Sequence, residues 1–62
     1  PNEKEQEYFH EALDRAHMVS SHLQMALAEH EIIEKHEDIR EAYGLAVEKL
    51  ENLYQLIGRK MG

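Results

Sequence analysis

Residues 17–33, HMVSSHLQMALAEHEII, decide the fold. The stretch holds no Gly and no Pro, so nothing in it forbids a continuous helix. Three interleaved heptad sets run through it and extend towards the N-terminus: Phe9, Ala16, Leu23 and His30; Leu13, Ser20 and Leu27; Ala12, Val19, Ala26 and Ile33. Together they form an apolar arc three positions wide. An isolated two-stranded coil needs only two such positions, whereas a bundle helix needs the third. A further heptad set, Met18, Met25 and Ile32, lies across the wheel from the centre of that arc, with His22, Glu29 and His36 between it and the Ala12–Val19 edge.

The flanks of this stretch set its ends. Asn2 followed by Glu5 has the spacing of a capping box, and Glu3, Glu5 and Glu7 suit the positive end of a helix macrodipole. The next start signal is Asp38 with Glu41, a second capping box. The first helix is therefore predicted over about residues 3–35. After it, Ile39, Ala46 and Leu53 run beside Tyr43, Leu50 and Ile57, flanked by Ala42 and Leu56 on one side and by Val47, Tyr54 and Met61 on the other. Gly58 reads as a C-cap, with Arg59 and Lys60 suited to the negative helix end. The second helix is predicted over about residues 39–58. The chain, residues 1–62, reads as one all-α domain, an antiparallel helical hairpin.

The arms of that hairpin are expected to differ, at roughly 50 Å and 30 Å for a rise of about 1.5 Å per residue. Position 30 would lie near 44 and position 16 near 58, leaving an overhang that carries Tyr8, Phe9 and Leu13. A second chain covers such an overhang most simply, so the expected product is a homodimeric four-helix bundle. Its core and seam would comprise Tyr8, Phe9, Leu13, Val19, Leu23, Leu27, His30, Ile33, Tyr43, Leu50, Leu53, Tyr54 and Ile57. His30 is read as a core imidazole opposite Tyr43 and Gly44, either hydrogen-bonded and neutral or a pH switch. Gly44, costly within a helix, is read as making room for a bulky neighbour.

Small size and charge narrow the function. Sixty-two residues without cysteine have no disulfide or thiolate–zinc staple, and a core of this size is near the lower limit for a lone chain. The absence of cysteine is compatible with a cytoplasmic protein. No apolar run approaches the length of a membrane span. Seven Lys and Arg stand against thirteen Asp and Glu, for a net charge of −6, and the cations are scattered. Nucleic acid is not expected as a partner, because phosphate binding rests on clustered basic charge.

The chemistry-bearing residues form no catalytic signature. Ser20 and Ser21 neighbour His17 and His22, but no third group is placed to orient a base. His10, Asp14 and His17 have helical spacing for one metal-binding face, and Met18, His22 and Met25 form a softer set suited to copper(I). Neither set matches an established metal motif, and no cofactor is expected. Met18, His22, Met25 and Ile32 are the candidates for contacting another protein, since methionine suits adaptable interfaces.

The hairpin plan, the length and the implied dimer resemble the Rop-type plasmid regulators, four-helix bundles that bind paired RNA loops. The resemblance covers architecture only: the faces here are acidic where that function uses basic and aromatic side chains. The segments EALDRAHMVSSHL (11–23) and AVEKLENLYQLIG (46–58) resemble small cysteine-free helical proteins from early accessory regions of temperate, lambdoid phages of enterobacteria. That resemblance implies a non-enzymatic protein of the host cytoplasm that binds a host or phage factor and alters its activity. The expectation is thus an acidic homodimeric interaction module, with a Rop-like nucleic-acid regulator and a His/Met metal-binding protein as the alternatives.

Overall fold

A computed structural model describes residues 3–62 of the chain. Three helices occur in the order α1 (Glu3–Leu27), α2 (Glu31–Lys35) and α3 (Glu37–Met61). The all-α hairpin expected from the heptads is present: α1 and α3 pack along each other, and the short α2 packs on α3 at the closed end. Their antiparallel sense is set by three contacts. Gln6 Nε2 donates to the Met61 carbonyl at 3.2 Å, the His17 and Tyr54 rings lie 6.2 Å apart, and a Cβ on Gly58 would meet Leu13 Cδ1 at 3.9 Å. The expected register, with 16 near 58, is therefore displaced by about one helical turn.

The boundaries differ from the expected ones, and the differences have one origin. The first helix does not run to residue 35. It stops at Leu27, and the His30 amide bonds back to the Leu27 carbonyl at 3.1 Å in a tight turn. His30 itself is extended (φ −65°, ψ 140°) and caps α2: its Nδ1 accepts the Ile32 amide at 3.1 Å. His36 is extended again and precedes α3, and Arg40 Nη1 donates to the Glu34 carbonyl at 2.9 Å, tying the two helices together. The break turns Ile33 onto α3, where it is one of the two buried apolar residues among those described, at 7% exposure. Burying an Ile contributes about 1.5–3 kcal/mol, and a helix cap about 1 kcal/mol. Interrupting a sequence of good helix formers costs only tenths of a kcal/mol per residue, so the tertiary contact wins.

Two further consequences follow from this break. The arms are equal, at 25 residues each, and Gln6 of α1 already reaches the last turn of α3, so the predicted overhang does not exist. His30 is exposed and belongs to a corner, which withdraws both the buried imidazole and the pH switch in the core. Asp38 is not a cap but lies in the first turn of α3, where its Oδ1 accepts the Ile39 amide at 2.8 Å. Gly58 is inside α3, and Gly62 takes the C-cap. The Asn2–Glu5 capping box lies partly outside the described residues.

The hairpin has almost no interior. Its Cα extents are 48 × 16 × 9 Å, a slab one helix thick. The radius of gyration is 14.6 Å, against about 10.6 Å for a compact domain of this length. Among the described residues Ala16, Ser20 and Ile33 are the buried ones, and no side chain is fully enclosed. The ion pairs Arg15–Glu11 (3.6 Å) and Lys35–Glu31 (3.1 Å) are solvent-exposed helical pairs that add little. Among the described residues, no helix is long and apolar enough to cross a membrane.

Candidate functional site

The seam between α1 and α3 assigns a heptad position to every residue. On α1, Gln6, Phe9, Leu13, Ala16, Ser20 and Leu23 are the positions drawn from solvent, alternating by three and four, and on α3 they are Tyr43, Val47, Leu50, Tyr54, Ile57 and Met61. These are the a and d positions of an antiparallel coiled coil. Reversing one helix also reverses the sense in which its residues wind when viewed from a common end. The g positions of both helices therefore lie along one broad face of the slab, and the e positions along the other.

The two faces have opposite chemistry. The g face carries Ala12, Val19 and Ala26 from α1 and Ile39, Ala46 and Leu53 from α3, an uncharged stretch with Glu5 and Lys60 beyond it at the end where Gln6 meets Met61. Val19 is 55% exposed and Leu53 47% exposed, so the hairpin leaves this apolar surface open. Near the N-terminal end of α1, Tyr8, Phe9 and Ala12, with Glu5 at the rim, line a shallow depression that continues it. The e face is polar. A groove there is lined by His17, Ser20, Ser21, Gln24, Glu51, Tyr54 and Gln55, with Met25 at its margin. Gly44 and Gly58 also belong to this face, and a Cβ on Gly44 would meet nothing within 4 Å. The packing reason expected for Gly44 is absent within the hairpin.

The sequence-derived candidates distribute over these surfaces. Phe9, Leu13, Leu23, Tyr43, Leu50, Tyr54 and Ile57 line the intramolecular seam, with Leu27 at its end. Tyr8, Val19 and Leu53 lie beside it in solvent, and Ile33, on α2, is buried where that helix packs on α3. Met18 and Met25 occupy the f positions of α1, the ridge farthest from α3, and Met25 is 83% exposed. Ile32 does not extend their stripe, because the chain has left α1 before reaching it. His22 stands at the neighbouring c position, exposed.

No protein-family model matches the chain, and no curated protein or solved structure is significantly similar to it. The hairpin's own geometry defines its surfaces.

That geometry does not assemble the proposed metal set. His10, Asp14 and His17 line one shallow groove with Leu13 and Tyr54, but no group of three His, Cys, Asp or Glu among the described residues is placed to hold a metal ion. The physical reason is spacing: His10 and His17 are separated by about 10 Å of helical rise. The same rise separates Met18 from Met25. The Ser20 hydroxyl accepts from Gln24 Nε2 at 3.3 Å, and the same amide reaches the Ser20 carbonyl at 3.4 Å. Ser20 is thus tied to its own helix.

The open apolar face was present in the sequence as the heptads Ala12–Val19–Ala26 and Ile39–Ala46–Leu53. What sequence reasoning missed is that both belong to the same side. It placed Val19 and Leu53 in the core and seam of a dimer without separating the flank that faces outward from the residues between the two helices.

Proposed function

We propose that this chain is a non-enzymatic protein-interaction module: a small acidic homodimer, built as a four-helix bundle, that binds and modulates another protein. The observation that carries this reading is an excess of surface. The chain exposes 5088 Å², whereas a compact monomer of its 7.3 kDa exposes about 4,200 Å². The excess of roughly 900 Å² per chain is close to the ~800 Å² that each partner contributes to a standard-size interface. A hairpin one helix thick has nowhere to hide that surface alone. Its three-position apolar arc is the pattern of a bundle helix and not of a two-stranded coil.

In the assembled form, the f ridge with Met18 and Met25, with His22 beside it, is the surface offered to a different protein. Methionine is flexible and polarizable, and suits contact with partners of varied shape. A cytoplasmic setting and the role of a phage accessory protein belong to the same proposal. Size-exclusion chromatography with light scattering tests its foundation: the expected species at micromolar concentration is a dimer, and a folded monomer would remove the reading. Affinity capture from the source cells, compared with a Met18→Glu/Met25→Glu variant, tests the second surface. Recovery of the same proteins by both baits rules out the methionine ridge.

A further inference from the structure

The homodimer reading leaves open which surface the second copy covers, and two are available on α1: the g face and the methionine ridge. We propose that a second copy of this chain seats on the g face, with Val19 and Leu53 near the centre of the contact, and that the e face and the methionine ridge remain in solvent. The inference rests on the homodimer of the preceding section and specifies its geometry.

Three observations select this occupant. First, the face draws equally on both helices, so a two-fold axis through it places apolar positions of one copy against apolar positions of the other. The ridge draws on α1 alone and would leave the apolar flank of α3 uncovered. Second, the face is charge-free between Ala12 and Leu53 along its g positions, although the chain carries thirteen Asp and Glu. Depletion of charge is the compositional mark of an interface core. A basic partner would need acidic groups along this stretch, and its g positions offer none, Glu5 and Lys60 standing together at the far end of the face, whereas an identical uncharged stretch is complementary. Third, Ala12 and Ala26 on α1 and Ala46 on α3 keep the surface low, which lets two layers of helices approach closely around the larger Val19 and Leu53.

The arrangement accounts for the rest of the slab. Gly44, Glu51 and Gly58 lie on the e face, as do His17 and Gln24, and the polar groove there stays hydrated. Met25, already 83% exposed in the hairpin, stays so in the dimer. Self-association and capture of another protein then use separate surfaces of α1, and the dimer presents two copies of the ridge.

Because the chain has no cysteine, single thiols report on each face without background. Ala46→Cys marks the g face and Gln55→Cys the e side. At concentrations where the protein is dimeric, the thiol of Ala46→Cys is expected to react with a maleimide about ten times more slowly than that of Gln55→Cys, and equally fast after dilution into monomer. Leu53→Glu is expected to weaken the dimer by at least about 100-fold, as an unpaired charge enters an apolar contact, while Met25→Glu leaves it unchanged. The cysteine pair keeps the test open if Leu53→Glu does not fold. A dimer in which both thiols react alike, or one that Met25→Glu dissociates, overturns this placement and leaves the homodimer standing. A monomeric parent protein overturns both.

Discussion

Gly44→Ala is the most informative single substitution in this chain. Gly44 sits well inside α3, with no positive φ, so alanine fits its backbone without strain. A Cβ built there meets nothing within 4 Å. Within a helix, alanine is favoured over glycine by about 0.8–1 kcal/mol, mainly because glycine loses more backbone freedom on folding. With no steric penalty to subtract, the whole of that difference should appear as stability. For a domain of this size about 1 kcal/mol corresponds to roughly 4–8 °C in Tm. Circular dichroism melts at matched protein concentration would measure it, since a dimer's Tm depends on concentration. Gly58→Ala is the companion: its methyl would rest 3.9 Å from Leu13 Cδ1, an ordinary contact, and should stabilise at least as much. If Gly44→Ala lowers Tm while Gly58→Ala raises it, something packs tightly over Gly44. The e face would then be covered in the assembled protein, and the reasoning that leaves it in solvent would fail.

The corner offers a second test. His30→Ala removes the acceptor for the Ile32 amide and should cost about 1 kcal/mol, while His30→Asn, a good neutral cap, should restore most of it; urea unfolding distinguishes the two. Gln6 holds a seam position where Oε1 is buried without a partner while Nε2 bonds the Met61 carbonyl. Gln6→Leu relieves an orphan worth about 1–3 kcal/mol against one lost hydrogen bond of about 1 kcal/mol, so a higher urea midpoint at unchanged slope is expected, and a lower one contradicts the account. Finally, in the proposed homodimer two copies that each carry a net charge of −6 would repel at long range and meet through apolar surface, so added salt should tighten it in sedimentation experiments. Weakening by salt would indicate an interface held by ion pairs.

Periodicity made most of the architecture legible. The alternation of Phe9, Leu13, Ala16, Ser20 and Leu23, and that of Tyr43, Val47, Leu50, Tyr54 and Ile57, specifies two amphipathic helices and the faces they turn to each other. It does so because side-chain direction within a helix is a local property. The third apolar position on each helix was equally visible, and with it an apolar flank that the hairpin leaves exposed. The length of the first helix was not, since residues 28–30 contain no Gly or Pro and their propensities differ from helix by tenths of a kcal/mol.

Composition and spacing alone therefore established an all-helical acidic hairpin with more apolar surface than it can bury, lacking a catalytic motif. Tertiary structure decided where the chain turns, making the arms equal, and which flanks share a side. It moved His30 from the expected core to an exposed cap, and it ended the methionine ridge at Met25 by carrying Ile32 into α2. Each of these depends on contacts between residues distant along the chain: Ile33 folding onto α3, Gln6 reaching Met61, Leu13 resting beside Gly58. A local pattern records which way a side chain points along its own helix. Only the packing of one helix against another settles what it points towards.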